Sequence, residues 1–226
     1  MLTHTIGILA NVTETETVVN RLDRRKARTR AALVAAAREL LASRDPSEVS
    51  IQEITDMADV GFGSFYNHFE SKGDVFDAAL EEVLEEYGAM FDALTADIDD
   101  PAEVYASSVR MTVRMAKTHP QIARIMQRTG LKYLNTPTGL APRGLRDLER
   151  AQRAGRIQIG DPKVALASSG GAVLGVLALT TTIPRPKAIN AAADELAANL
   201  LRMFGLPDDE AREIASRPLP VPKPLS

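Results

Sequence analysis

The stretch SIQEITDMADVGFGSFYNHFESK, Ser50 to Lys72, reads as two short helices joined by a tight turn and followed by an aromatic and polar cluster. Ser50 and Glu53 form an S-x-x-E capping box, in which each side chain satisfies a free backbone N–H at a helix start. Ile51, Ile54, Met57 and Ala58 recur at helical spacing, so one face of this helix packs inward. Asp59, Val60 and Gly61 supply the turn, and a second helix is expected over residues 62–69. In that second helix Phe65 and Phe69, four apart, face the core, while Ser64, Tyr66, Asn67 and His68 crowd the other side. Two helices joined this tightly form the motif that presents its second helix to a DNA major groove.

Outward from the motif, the apolar periodicity predicts helices almost everywhere. A first helix over 26–43 ends at Asp45-Pro46, and a long fourth one over 72–94 starts at the cap Ser71. Val75, Phe76, Ala79, Leu80, Val83, Leu84, Tyr87, Met90, Phe91 and Leu94 give that helix a broad apolar stripe, and Glu81, Glu82, Glu85 and Glu86 read as its solvated face. Further helices are expected over 101–118, 120–134, 141–155, 161–182, 186–204 and 207–216, punctuated by Pro and Gly. With few aromatics and no period-two runs, the fold class is all-α. The expected organisation is a flexible tail (1–20), a helix-turn-helix domain with a basic arm (21–71), a second helical domain (72–216) and an unpacked Pro-rich tail (217–226).

A net charge of -3 argues at first against a polyanionic partner, but the charge is unevenly placed. Arg21, Arg24, Arg25, Lys26, Arg28 and Arg30 stand against Asp23 alone, so this segment carries +5 and the rest of the chain -8. A basic arm on an acidic body suits a nucleic-acid binder with a separate second domain. Zero cysteines exclude disulfides, thiolate metal sites and a cysteine nucleophile. His4, His68 and His119 lack neighbours at metal-ligand or triad spacing, and no phosphate-binding loop is present, so an enzyme is not expected. The N-terminal residues lack the pattern of a signal peptide. Val164 to Pro184 has no charge and is long enough to span a bilayer. Its serines and threonines, and the lack of flanking Trp or Tyr, favour a buried helix of a cytoplasmic protein over a membrane-attached one.

Residues 26–80 resemble the tetracycline-repressor (TetR) family of bacterial transcription regulators. Arg30, Leu33, Val34, Ala36, Ala37, Leu40 and Leu41 match its first helix, and Gly63-Ser64-Phe65-Tyr66-Asn67-His68-Phe69 with Lys72 match the end of its helix-turn-helix. Three positions depart from the usual pattern: Ala58-Asp59-Val60-Gly61 replaces Ala-Gly-Val-Ser, Thr55 replaces alanine, and Gly73 replaces glutamate. The resemblance implies a sequence-specific regulator, most often a repressor, binding a palindromic double-stranded DNA operator as a homodimer. It implies DNA contacts by Arg24, Arg25, Lys26, Gln52, Phe62, Gly63, Ser64, Tyr66, Asn67, His68 and Lys72. It also implies self-association through about 161–204 and a pocket for a small hydrophobic effector, with no cofactor and no metal. Tyr87, Met90, Phe91, Tyr105, Met111, Met115, Met126 and Tyr133 are the large, adaptable side chains expected there.

Overall fold

A computed structural model describes the backbone of residues 5–180 and 186–220 and the side chains of 21–180 and 187–220. The expected N-terminal tail, the Pro184-Arg185-Pro186 breaker and the last six residues lie outside the side chains described. Among the described residues every regular element is a helix: ten α-helices and two short 3-10 segments. The chain divides into two compact units, residues 1–79 and 80–226, with the division inside the fourth helix rather than at its start.

In the first unit, α1 (Thr5–Ser43) is helical through the whole basic segment, so Arg21 to Arg30 all lie in the helix, which begins well before the expected residue 26. The reason is local: neither Gly nor Pro interrupts 21–43, and Arg, Lys, Leu and Ala are strong helix formers. Leu33, Val34, Ala37, Leu40 and Leu41 bury one face of α1. Ile54 of α2 (Ile51–Met57), Phe65 of α3 (Phe62–Phe65), Phe69, and Val75 and Phe76 at the start of α4 (Lys72–Thr95) are buried as well, and α1 packs on α2 and α2 on α3. Thr55, the departure from alanine, is fully buried, and its hydroxyl donates to the Gln52 carbonyl at 2.9 Å, which removes the penalty of an unpaired buried hydroxyl.

In the second unit, α5 (Pro101–Thr118) is central. It packs on α6 (Pro120–Thr129), α7 (Leu140–Arg153), α8 (Pro162–Thr180), α9 (Pro186–Met203) and α10 (Asp208–Ser216). The expected helix over 120–134 is broken at Gly130, whose φ of 57° leaves the right-handed helix, and a 3-10 segment follows over Gly130–Asn135. Arg156 clamps α10 to the start of α5, donating to both oxygens of Asp100 at 2.9 Å and to Glu210 at 2.7 Å. Arg217, expected in an unpacked tail, is instead paired with Glu103 and Glu213, because the acids on α5 and α10 converge on it.

Candidate DNA-reading surface and effector cavity

The helix-turn-helix is assembled by hydrogen bonds that its sequence specifies. The Ser50 N–H donates to Glu53 Oε2 at 2.8 Å, and the Glu53 N–H returns to Ser50 Oγ at 3.2 Å, which completes the capping box. Arg44, just past the end of α1, reaches Glu53 at 2.5 Å. Bonds from the Ser50 backbone, from Arg44 and from the Ser50 hydroxyl together hold the Glu53 carboxyl down at about 2. The turn closes as a Schellman motif: Val60 N–H donates to Thr55 O at 3.0 Å and Asp59 N–H to Asp56 O at 3.2 Å. Asp59 therefore takes φ 53°, the left-handed conformation that glycine adopts with least strain. Gly61 is the N-cap of α3 and offers it no side-chain acceptor. Both departures from the family pattern thus sit where the usual residues, Gly and Ser, serve better.

Regular α-helix ends at Phe65, shorter than the expected 62–69. The chain continues as a tightened turn, with His68 N–H donating to Phe65 O at 2.9 Å and Asn67 N–H to Ser64 O at 3.3 Å. This turn keeps Phe65 and Phe69 in the core while Phe62, Gly63, Tyr66 and Asn67 stay exposed. Phe62 and Tyr66 are 46% and 56% exposed, large for aromatic rings, and pack edge-on at 5.9 Å with Phe65 beneath Tyr66 at 5.4 Å. Ser64 and His68 are half-buried. Burial, then Lys26 and Arg30, hold the His68 imidazolium below its ordinary range, so the ring is neutral at pH 7. Lys72 donates to the carbonyls of Val49 at 2.6 Å and Ser47 at 3.2 Å, which ties the start of α4 to the entrance of α2. The Gln52 amide donates to Asp56 at 2.6 Å, which leaves its second N–H and its oxygen for a base or phosphate. Arg24, Arg25 and Lys26 are exposed on α1.

The second unit contains a cavity of about 70 Å³ between α4, α5, α6, α7, α8 and the 3-10 segment. Of the expected effector residues, Phe91, Tyr105, Met126 and Tyr133 line it, and Tyr87, Met90, Met111 and Met115 do not. Tyr87 is packed against Phe91 and His119, with ring centroids 6.4 and 5.3 Å apart. Met90 lies at the surface. Tyr105, Ser108, Val109 and Thr112 define the cavity face of α5, and Met111 and Met115 fall outside it at 100° per residue.

Sequence reasoning missed the polar wall. Asp92, Arg143 and Asp147 line the cavity, with Glu85 and Arg146 beside them. Arg143 donates to Asp92 Oδ2 at 2.8 Å, to both Glu85 oxygens at 2.7 and 2.8 Å and to the Gly139 carbonyl at 3.1 Å. Arg146 donates to Asp92 Oδ1 at 2.7 Å and, through two nitrogens, to Asp147 Oδ1 at 3.0 and 2.8 Å. Glu85, expected on a solvated face, is thus an ion-pair partner whose carboxyl the Arg143 hydrogen bond holds down. Desolvation pushes the Asp147 carboxyl up against the opposing pull of Arg146. Asp92 is also desolvated, but bonds from Arg146 and Arg143 outweigh that and leave its carboxyl lowered. Also lining the cavity, the Tyr105 hydroxyl lies 2.5 Å from Ser169 Oγ, and Ser169 donates to the Ala165 carbonyl at 2.7 Å. Gly170 lets Tyr133 and Leu134 approach α8: a Cβ there would lie 2.5 Å from the Tyr133 hydroxyl.

These features have counterparts in known proteins. Residues 33–79 match the profile of the tetR family of bacterial regulatory proteins, and residues 100–217 match that of a tetracyclin repressor-like C-terminal domain. The solved structure of RolR without ligand is 34% identical with a TM-score of 0.72, over 85% of this chain and 98% of that one. The chain belongs to the TetR family.

RolR in complex with resorcinol is also similar, at 32% identity and a TM-score of 0.66 over 88% of this chain and 98% of that one. FadR from Bacillus subtilis in complex with stearoyl-CoA shares the TetR fold at 15% identity and a TM-score of 0.59, over 77% of this chain and 96% of its own. Two uncharacterized HTH-type transcriptional regulators of Mycobacterium tuberculosis are each 28% identical over 88 residues, 39% of this chain and 44% of theirs. That match spans less than half the length of these curated relatives. Membership makes the chain a DNA-binding transcription regulator, with the tetR-family profile on the helix-turn-helix and the repressor-like C-terminal profile on the second unit. One TetR element retains a membrane-like character: α8 is long and apolar enough to cross a bilayer, and only 33% of its most apolar window is buried within the protomer.

Proposed function

We propose that this TetR protein is a cytoplasmic, homodimeric repressor that holds a two-fold operator and is released by a small, single-ring, hydroxylated aromatic compound. The observation that carries the effector class is the cavity: an aromatic and aliphatic interior of about 70 Å³ lined also by hydroxyls and by ion-paired side chains. An apolar protein cavity of about 150 Å³ takes benzene, so this space, under half that volume, must widen to admit even one ring and as it stands excludes a long acyl chain. RolR, 32% identical over nearly its whole length, was solved with resorcinol.

On the DNA side, Phe62, Gly63, Tyr66 and Asn67 are the exposed groups at the reading end, and Gln52, Ser64, His68 and Lys72 flank them. Phe62 suits contact with a thymine methyl, and Asn67 the edge of a base. Tyr66, His68, Lys72, Arg24, Arg25 and Lys26 suit phosphates, which position the domain without reading sequence.

Dimerisation is supported by α8. Val164 and Leu179 are 62% and 58% exposed, and Ser168, Gly171 and Gly175 complete the same open face. A Cβ on Gly171 or Gly175 would meet nothing within 4 Å in the protomer. Glycine inside a helix costs about 0.5–1 kcal/mol relative to alanine, and nothing in the protomer requires it here. Close approach of a second copy does. An effector that binds one conformation better lowers DNA affinity by the factor by which DNA lowers effector affinity.

The test is fluorescence anisotropy of the full chain against DNA from immediately upstream of its own gene, beside an unrelated duplex, across a salt series and with added resorcinol. Preferential binding with a steep salt slope and release by resorcinol is expected. Equal, weak binding to both duplexes at every salt, or specific binding untouched by any single-ring phenol, overturns the corresponding half of the reading.

A further inference from the structure

The guanidiniums of the second unit differ in how fully their donors are used. Arg143 and Arg146 each make four hydrogen bonds, and Arg156 makes three. Arg110 and Arg114, one turn apart on α5, make one each, although a guanidinium carries five N–H donors. Both bonds end on the same atom, Oδ1 of Asp194 on α9, at 2.7 Å from Arg110 Nε and 2.6 Å from Arg114 Nη2. Only 3% of the Arg110 side chain is exposed. Arg114 is 25% exposed, yet its Nε is sealed from solvent with no acceptor, the one such side-chain atom among the described residues.

Charge is unbalanced at the same place. Two guanidiniums share one carboxylate, and the surrounding sequence supplies no second one: no Asp or Glu occurs between Glu103 and Asp147, and α8 has none. Glu195, one position further along α9, projects about 100° away and lies 3.7 Å from Arg212. Burying a cation is compensated only where its remaining protons find acceptors. Adjacent N–H groups of a guanidinium form an edge that matches two oxygens of a carboxylate or phosphate. Asp194 meets one N–H on each arginine and leaves the N–H beside it open.

We propose that the junction of α5 and α9 is a binding site for a small oxyanion, which bridges Arg110 and Arg114 beside Asp194. One negative charge balances the surplus cation, and its oxygens accept from the donors that Asp194 does not reach. This site is separate from the effector cavity. To that cavity α5 turns Tyr105, Ser108, Val109 and Thr112, and none of Arg110, Arg114 and Asp194 lines it. The inference therefore stands whatever the effector is. A bound oxyanion ties together α5 and α9, the most extensively paired helices of the unit.

Differential scanning calorimetry of the full chain at pH 7 and fixed protein concentration tests this, with chloride replaced by formate, acetate or inorganic phosphate at constant ionic strength. A saturable rise of the melting midpoint is expected, about 3–6 °C with the anion at ten times its dissociation constant. Arg114→Gln removes the surplus charge and the sealed donor together, and abolishes the rise. Asp194→Asn doubles the surplus, so this variant melts below its parent in chloride and gains more than its parent from the oxyanion. Should either variant fail to fold, saturation in the parent protein decides alone. A rise that grows with concentration without saturating and persists in Arg114→Gln is a general salt effect and overturns the proposal. No rise with any oxyanion overturns it as well, and weaker self-association of Arg114→Gln in sedimentation would then assign the open donors to a carboxylate of a second copy.

Discussion

Gly170→Ala is the sharpest single change the fold offers, because ordinary helix energetics and the observed packing predict opposite signs. Alanine in a helix interior is favoured over glycine by about 0.5–1 kcal/mol, so propensity alone makes the variant more stable. The added Cβ, however, would lie 2.5 Å from the Tyr133 hydroxyl and 2.7 Å from a Leu134 methyl. Ordinary contact begins near 3.4 Å, so the tyrosine must retreat by about 0.9 Å (3.4 less 2.5) and the leucine by about 0.7 Å (3.4 less 2.7). Overpacking of this kind costs about 1–3 kcal/mol. The net is a destabilisation of at most about 2.5 kcal/mol (3 less 0.5), falling to about zero (1 less 1) if the two side-chain ends yield easily. Tyr133 and Gly170 both line the cavity, so the displaced ring intrudes on it, and phenol affinity falls with stability. Urea unfolding followed by circular dichroism, with calorimetric titration of resorcinol, measures both. A variant more stable than its parent by the propensity gain, with unaltered resorcinol affinity, would refute the packing of Tyr133 on α8.

Other expectations follow from the reading head and from α8. Asp59→Gly relieves a left-handed aspartate and is expected to stabilise the first unit by about 0.5–1 kcal/mol, and Gly61→Ser adds an N-cap acceptor worth a few tenths to about 1 kcal/mol; thermal melts of both variants check this. His68 has its folded pKa below the unfolded 6.5, so its share of stability is present above that pH and is lost as pH falls below it. Phosphates favour the imidazolium, so operator binding takes up a proton and tightens as pH drops from 8 toward 6, whereas His68→Gln shows a flatter pH profile by anisotropy. Replacing Arg24, Arg25 and Lys26 by Gln reduces the slope of log K against log salt by up to about 0.9 for each phosphate left without its cation, and an unchanged slope removes them from the interface. Gly171→Leu places a branched side chain on the open face of α8 without a clash in the protomer, and sedimentation is expected to show monomers where the parent gives dimers.

The helix-turn-helix was legible because its determinants are local. The capping box spans four residues, the Phe65 and Phe69 pair one helical turn, and the expected and observed helix ends agree within two residues for α2, α4 and α5. What escaped depended on pairings between distant residues or on single dihedrals. The 3-10 tightening after Phe65 and the break at Gly130 are backbone choices that apolar periodicity does not register. The cavity wall was harder still. Asp92, Arg143 and Asp147 look like ordinary charged positions on amphipathic helices, and only packing α4 on α7 brings partners some 50 positions apart within hydrogen-bond distance. An Arg-x-x-Arg-Asp run over 143–147 opposite a Glu and an Asp seven apart on α4 was the available clue. Of the eight large side chains expected in the pocket, four line this cavity, because size does not report helical phase.

The open face of α8 also bears on fidelity among paralogues, on the proposal that it is where two copies meet. Val164, Ser168, Gly171, Gly175 and Leu179 are small or apolar and carry no charge, so the face offers no charge code by which one chain can refuse a similar chain. On that reading, discrimination rests on shape along the two glycines, and mixed pairs carrying two different reading heads and two different cavities are the failure that shape must prevent.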